Sequence, residues 1–373
     1  MDLDYSDDQK FLRDQARKFL EARCPPEVVR GVLDDPHRSY DEGLWSEIAE
    51  QGWLGTAIPE EYGGLGLGHV ELCAIAEELG RAMAPVPFDS TVYFVAEALM
   101  LCGSETQKRQ WLPKLASGEV IGCFATAERA GPLTAESVTA RVVHGRLTGS
   151  KIPVTDGDVA HLTIVLANDE AGSGLFLTEL DDAAVRREVV ETLDPSRSAA
   201  RLTFDGLAVE PLGQPGEGMA LVQSVFDRAA VLLAFEQVGG ADRALEMACD
   251  YALNRYAFGR VIGSFQAIKH KLSDVYVKNE LARSHAYRGA WALESVAPEL
   301  AEAAASARIA ACDAYWQASR ENIQVHGGMG FTWEMDCHLH YRRSRQLGLV
   351  AGAPGVWKER LVAQLERRRA FAG

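Results

Sequence analysis

The stretch RYAFGRVIGSFQ, residues 255–266, decides the fold when it is taken together with two other parts of the chain. One is QVHGGMGF at residues 324–331, which lies downstream. The other lies far upstream and combines GWLG at 52–55 with PEEYGG at 59–64. Each string alone is common, because an R-x-x-F-G pattern or a pair of glycines recurs in unrelated proteins. The three together, in this order and at these separations, are specific.

The sequence from Ser6 to about Ser117 has helical periodicity. Ser6 and Gln9 form a capping-box signature ahead of an apolar helix face. A second amphipathic stretch runs from His69 to Met83, and the Pro and Gly content of residues 59–64 predicts a loop before it. The first part of the chain is therefore predicted to be helical.

The period changes to that of β-strands in the middle of the chain, roughly from Gly118 to Pro215. Residues 142–147 have the pattern of a hairpin, and residues 161–167 that of a buried strand. Residues 174–178 and 200–204 continue the β pattern, and from Gly216 onward the chain is helical again, in segments long enough for a bundle.

A chain of 373 residues is too long for one ordinary core, so several domains are expected. The changes of period place them at residues 1–117, 118–215 and 216–373. The sequence predicts an α+β protein with helical, β and helical domains in that order.

The charge balance is acidic, with 38 basic against 53 acidic residues. Such a surface repels nucleic-acid backbones and anionic lipid, so neither nucleic acid nor membrane is expected as a partner. The N-terminus MDLDY is acidic where a signal peptide is basic, and no uninterrupted apolar run reaches the ~18 residues of a membrane helix. The seven cysteines lack CxxC or metal spacing, which predicts reduced thiols in a cytoplasmic protein with no metal site.

The three segments and the helical–β–helical order resemble the acyl-CoA dehydrogenase family over essentially the whole chain. The alternative is an unrelated helical protein with a β insert. The resemblance implies an N-terminal helical domain, a β-barrel-like middle domain and a C-terminal four-helix bundle. It also implies FAD as cofactor, an acyl-CoA thioester as substrate, and a flavin that lies across a subunit interface.

By this resemblance, the C-terminal bundle of one subunit grips the adenosine-diphosphate half of a neighbour's flavin. Arg255 would hold the pyrophosphate and Phe258 would pack near the cofactor. Gln266 and Gln324 would donate amide hydrogen bonds. Gly327 and Gly328 have no Cβ, so their backbone N–H groups would be able to approach the phosphate closely. The structural alternatives are core packing for Phe258 and a surface ion pair for Arg255.

The flavin ring is held in this family by the β domain, where the match is weaker. Thr126 falls in the family's T-E-P-x-x-G-S segment, but the serine of that segment reads Pro132. Thr155 falls in the family's K-x-W-I-T-N-G segment, but the tryptophan that flanks the ring reads Pro153. The resemblance therefore implies cofactor contacts from Thr126 and Thr155 in an eroded half-site.

The catalytic base is missing from both positions at which the family carries it. Dehydrogenation of a thioester removes a proton from Cα, which needs a carboxylate within hydrogen-bond reach. In most members this is a glutamate in an E-G-T segment, and alignment through residues 341–345 places Ala351 there. In a minority it lies on the first helix of the bundle, at a position that corresponds to Ala229.

These features resemble the glutamate-lacking subunit of bacterial α2β2 acyl-CoA dehydrogenases, which act with a second, glutamate-bearing subunit of the same family. The family's usual electron acceptor, an electron-transfer flavoprotein, is the further partner that the resemblance implies. One alternative is a self-sufficient homotetramer with a displaced base, for which the candidates are Asp227, Glu236 and Glu334. Another is a flavin-binding scaffold without redox turnover.

Overall fold

The computed structural model describes residues 5–181 and 183–372, with side chains as far as residue 369. The acidic residues 1–4 lie outside the described part. The helices are α1 (Asp7–Arg23), α2 (Pro26–Leu33), α3 (Glu42–Glu50), α4 (His69–Ala82), α5 (Glu97–Cys102), α6 (Glu105–Ala116), α7 (Gly218–Asn254), α8 (Gln266–Glu294), α9 (Leu300–His326), α10 (Cys337–Leu347) and α11 (Pro354–Ala372). The strands are β1 (Gly122–Ala125), β2 (Arg141–Val143), β3 (Arg146–Thr155), β4 (Leu162–Asp169), β5 (Gly172–Glu179), β6 (Val185–Val189), β7 (Ala199–Ala208), β8 (Glu210–Leu212), β9 (Tyr256–Ala257) and β10 (Arg260–Val261). The predicted α+β class, with helical, β and helical parts in that order, is confirmed.

The chain forms two compact units. The first, here called the C-terminal unit, contains Met1–Glu27, Cys73–Ala84 and Ala230–Gly373. The second, here called the sheet unit, contains Val28–Leu72 and Pro85–Ala229. The three domains expected at 1–117, 118–215 and 216–373 stay a prediction, because the two compact units combine segments from different parts of the chain.

The sheet unit is built on a mixed sheet with the strand order β6-β7-β3-β2-β4-β5-β8. Strands β1 and β2 both pair in parallel with β4, and the other neighbours are antiparallel. The predicted hairpin at 142–147 is confirmed: β2 and β3 are joined by His144 and Gly145, both at positive φ. Such values are typical of the tight turns that match strand twist. The predicted buried strand at 161–167 is β4, whose residues 162–167 are buried.

A fully buried π-helical segment, Asp89–Ala96, is held in the sheet unit by a polar network. The Arg197 guanidinium donates to Asp89 at 2.9 Å, and the Ser90 hydroxyl donates to Asp156 at 2.6 Å. Burial, and after it the charge of Asp89, raises the pKa of the Asp156 carboxyl to about 7. Two carboxylates are therefore buried near one arginine, which donates to Asp89 and lowers the pKa of Asp156 through its charge.

The C-terminal unit contains the capping box that the sequence predicted at the start of α1. The Ser6 hydroxyl accepts from the Gln9 backbone N–H at 3.2 Å, and the Gln9 side chain accepts from the Ser6 N–H at 2.9 Å. Two N–H groups that the first turn would leave unpaired are thereby satisfied. The long helices α8 and α9 pack along each other and supply most of the buried alanines of this unit.

Among the described residues, α7 is the one helix whose length and composition would allow it to cross a membrane. Of its most apolar 18-residue window, 61% is buried inside the protein, and a buried core helix passes the same test. The sequence has no uninterrupted apolar run of this length, whereas the window in α7 is apolar on average and allows charged residues within it. The helix is therefore weak evidence for a membrane span.

Candidate active site

The structure brings two of the decisive segments together at one place in the C-terminal unit. Residues 255–264 form the short β9–β10 hairpin, closed by a hydrogen bond of 2.8 Å from the Ile262 N–H to the Arg255 carbonyl. Ile262 packs against a buried cluster that contains Val325 of the other segment. Next to it, the rings of Tyr251 and His326 stack at a centroid distance of 4.1 Å. Apolar packing of α7, the hairpin and the end of α9 therefore positions both segments.

The long side chains expected to grip the flavin all point away from the core of this unit. Phe258 is 95% exposed and sits at φ 54, so core packing does not explain it. Arg255 is exposed, and within the described residues it forms no ion pair. Gln266, the first residue of α8, and Gln324, in the last turn of α9, are exposed too. The four side chains are free to contact a molecule outside the chain.

The two glycines after α9 form an open backbone surface. Gly327 has φ 59 and ψ −135, a conformation that requires glycine. A Cβ placed on Gly327 or Gly328 would have no atom of the chain within 4 Å. Gly328 is therefore not demanded by close packing within the chain. The Gly327 N–H itself donates to the Gln324 carbonyl at the end of α9. An exposed glycine pair and the exposed Arg255 guanidinium in the same unit fit the adenosine-diphosphate half of FAD, because phosphate can approach the glycine backbone closely and the guanidinium can donate to it.

Thr126 and Thr155 lie in the sheet unit, the first directly after β1 and the second at the end of β3, and both are half-buried. An ion pair that the sequence analysis missed ties these strands: the fully buried Lys151 ammonium lies 2.7 Å from Glu128. The same ammonium donates to the Thr126 carbonyl at 3.1 Å. Burial would raise the pKa of Glu128, but hydrogen bonds from Lys151 and Thr139 lower it. The strand reads RLTGSKIPVT, which mixes polar and apolar residues, so it carried no local signal for this ion pair.

The two base positions are alanine and lie in well-defined places. Ala351 is half-buried at φ 58 in the turn after α10, and Ala229 is fully buried on α7. Of the displaced-base candidates, Glu236 is buried with the Arg343 guanidinium 4.0 Å away, and Glu334 is exposed. Asp227 is buried in the sheet unit. Over residues 5–181 and 183–372, no group of three His, Cys, Asp or Glu side chains could hold a metal ion.

Comparison with known proteins gives the family. Residues 6–119 match the acyl-CoA dehydrogenase N-terminal domain, and residues 216–365 match the C-terminal domain. The chain is 33% identical to acyl-CoA dehydrogenase IpdE2 of Mycobacterium tuberculosis, over 96% of this chain and 98% of the relative.

Two solved structures are similar over nearly their whole length. One is the ChsE4-ChsE5 complex from Mycobacterium tuberculosis, with a TM-score of 0.88 and 28% identity over 98% of this chain and 99% of that one. The other is the Tcur3481-Tcur3483 steroid acyl-CoA dehydrogenase G363A variant, with a TM-score of 0.89 and 31% identity over 97% and 99%. The chain therefore belongs to the acyl-CoA dehydrogenase family, whose members are FAD-dependent oxidoreductases that act on acyl-CoA.

Proposed function

We propose that this chain is the base-lacking subunit of a heteromeric, FAD-dependent acyl-CoA dehydrogenase. It acts with a second, glutamate-bearing subunit of the same family, and the complex desaturates an acyl-CoA thioester between Cα and Cβ. The single observation that carries the proposal is alanine at both base positions, Ala351 and Ala229. A methyl group accepts no proton, so proton removal needs a carboxylate from elsewhere.

The similar proteins support a heteromer and a steroid-type substrate. One of the similar structures is a complex of two differently named chains, ChsE4 and ChsE5. Another is described as a steroid acyl-CoA dehydrogenase and again joins two chain names. We extend both properties to this chain: a bulky, steroid-derived acyl-CoA as substrate, and an electron-transfer flavoprotein as acceptor. A cytoplasmic location is part of the proposal and is consistent with seven cysteines that form no disulfide bond.

The role of this subunit in the complex is to bind and orient a flavin. FAD, when bound, supplies the acceptor for the hydride that leaves Cβ. Arg255 neutralises diphosphate charge, Gln266 and Gln324 donate amide hydrogen bonds, and the backbone at 327–328 approaches phosphate without a Cβ in the way. The exposure of all these groups supports their contact with a flavin that the partner subunit shares.

The self-sufficient homotetramer is the second candidate function, and one buried carboxylate favours it. Asp227 lies two residues before Ala229 on the same helix and is 8% exposed. A buried carboxylate is the type of group that serves as a general base. Glu236 fits the role less well, because the guanidinium of Arg343 lies close to it. Thioester-dependent turnover by the isolated chain that is lost in Asp227→Asn would establish this second candidate.

The flavin grip is tested by Arg255→Ala. Charge-assisted hydrogen bonds to phosphate contribute roughly 1.5–3 kcal/mol, so the affinity for FAD is expected to fall at least tenfold. Arg255→Lys keeps the charge but lacks the planar guanidinium, so its affinity for FAD should lie between those of the natural chain and Arg255→Ala. The matched control is Arg345→Ala, which removes an exposed arginine that stacks on Trp316 in the same unit. Equal FAD affinity of Arg255→Ala and the control would contradict the assignment.

The base position is tested by restoring the carboxylate. Ala351→Glu places it on a turn that already accepts a non-glycine residue at positive φ. The assay is exchange of the α-proton of a saturated acyl-CoA with deuterated solvent, which needs a base but no completed hydride transfer. Slow exchange is expected with Ala351→Glu and none with Ala351→Gln, the isosteric control. Equal exchange by the two variants would remove residue 351 from the mechanism.

A further inference from the structure

A fully buried arginine holds the turn that carries Ala351. Arg308 lies on α9, is 0% exposed, and its guanidinium donates to the backbone carbonyls of Leu347 and, at 2.8 Å, of Val350. Its remaining terminal nitrogen donates to the side-chain oxygen of Gln237 on α7, which is also fully buried. One side chain therefore connects α7, α9 and the end of α10.

The acceptors of Arg308 are neutral. Within the described residues no carboxylate forms an ion pair with it, and its Nε atom is buried without a hydrogen-bond partner. Burying a guanidinium is costly unless it donates hydrogen bonds, and here both terminal nitrogens do so. The last carbonyls of a helix have no partner within the helix and carry its negative dipole end, so the α10 terminus is a favourable place for this charge.

The other backbone hydrogen bonds of this turn are local, including those from the Gly348 N–H to the Ser344 carbonyl and from the Leu349 N–H to the Gln346 carbonyl. Residues 347–352 leave α10, pass through Ala351 at φ 58 and Gly352 at φ 103, and are closed by a hydrogen bond of 3.1 Å from the Gly352 N–H to the Leu349 carbonyl. Positive φ is unfavourable for Ala351, which has a Cβ, whereas Gly352 adopts it freely, so the turn needs its surroundings to hold Ala351 in place. The Arg308 bond to Val350 acts on the peptide that directly precedes Ala351.

We propose that Arg308 is a positioning residue that sets the backbone at residue 351, and with it the direction in which any side chain at that position points. The inference rests on the proposed function only in taking residue 351 as the family's base position. Residue 351 is alanine in this chain, and the contacts of Arg308 with Leu347, Val350 and Gln237, here called the Arg308 clamp, hold the turn that carries it. The clamp also explains why the turn keeps its conformation without a catalytic side chain to stabilise it.

Hydrogen–deuterium exchange of the purified full chain tests the clamp without flavin or thioester. In Arg308→Met, amides of residues 347–353 should exchange at least about tenfold faster relative to the α9 amides, since charge-assisted hydrogen bonds are lost. Arg308→Lys keeps the charge but cannot reach all three acceptors, so it should give a smaller increase.

The control is Arg283→Met, which removes another arginine of this unit whose contacts are Glu77 and Asp242. It should accelerate exchange broadly, without preference for the turn. If Arg308→Met does not fold, the same exchange measurement is made on Arg308→Lys and on Gln237→Leu. The proposal would be overturned if, in these variants, the amides of residues 347–353 exchanged no faster relative to the α9 amides than they do in the natural chain.

A second readout separates positioning from stability. In the Ala351→Glu background, Arg308→Lys should lower α-proton exchange about tenfold while the affinity for acyl-CoA stays the same, because a misdirected carboxylate weakens catalysis and not binding. Unchanged proton exchange at unchanged affinity would refute the role at residue 351. No proton exchange in Ala351→Glu itself, together with a turn loosened in Arg308→Lys, would instead refute the proposed base position and leave the clamp standing.

Discussion

Replacing Asp156 by Asn should stabilise the protein at neutral and alkaline pH and leave it unchanged in acid. The Asp156 carboxyl is 2% exposed, and burial, followed by the charge of Asp89, raises its pKa from the ordinary 3.8 to about 7. One pKa unit corresponds to about 1.4 kcal/mol, so the ionised carboxyl is disfavoured in the folded state by up to about 4 kcal/mol. Asn is neutral, tolerates the φ of 55 at this position, and is the residue of the family's K-x-W-I-T-N-G segment.

The sign of the pH dependence follows from which state binds the proton. Between pH 3.8 and about 7 the folded protein keeps the Asp156 proton while the unfolded chain loses it, so the stability of the natural protein falls as pH rises. The charged groups that face Asp156 are Asp89 and Asp158, which add to this effect, and Arg197, which opposes it. Ser90 stabilises the ionised form by donating to it.

The assay is urea unfolding of the natural chain and of Asp156→Asn near pH 8, 6 and 4. The variant is expected to be more stable by about 2–4 kcal/mol near pH 8, and the difference should disappear near pH 4. Asp205→Asn, at an exposed position on β7 of the same sheet, is the control and should show no such trend. A variant that is less stable near pH 8, or a difference that does not change with pH, would refute the reasoning.

Three further predictions concern other parts of the chain. Ser6→Ala should lower the free energy of unfolding by about 1 kcal/mol through loss of the α1 cap, and Ser6→Asn should restore it. Burial would raise the pKa of Glu97, but His69 at 2.8 Å and Arg228 lower it to about 2. Glu97→Gln should therefore lower the free energy of unfolding by about 3 kcal/mol near neutral pH. This loss should fade as the pH falls from 4.5 towards 2, because Glu97 is then protonated in the natural protein as well. Gly328→Ala should weaken FAD binding while the melting temperature of the flavin-free chain stays the same, because the added Cβ meets no atom of the chain; a destabilised flavin-free chain would contradict this.

The sequence predicts those features whose causes are local. The Ser6–Gln9 cap, the 142–147 hairpin and the buried strand β4 depend on neighbouring residues, so patterns of a few residues were sufficient. Strands β1 and β6 were not predicted, because their short segments carry no clear alternation and are defined by pairing with β4 and β7.

The candidate site shows the same difference between features with local causes and features that depend on distant residues. The residues around Arg255 and Gly328 were selected from motifs, and the structure shows that they are exposed, while their contact with a ligand stays a prediction. The Arg308 clamp and the Lys151–Glu128 pair could not be predicted from motifs, since their partners lie 23 to 71 residues away in the sequence or on backbone carbonyls. Only packing of α9 against α7 and α10, or of β1 against β3, brings such partners together.

The most direct test of the central claim is the reaction of acyl-CoA with the flavin in the presence and absence of a glutamate-bearing partner. The chain is purified alone, loaded with FAD, and mixed under anaerobic conditions with a saturated steroid-type acyl-CoA, and the flavin absorbance is followed. Loss of a general base typically lowers a rate by ~10²–10⁴, so the isolated chain should bleach at least that much more slowly than the complex. Bleaching by the isolated chain at the rate of the complex would contradict the claim.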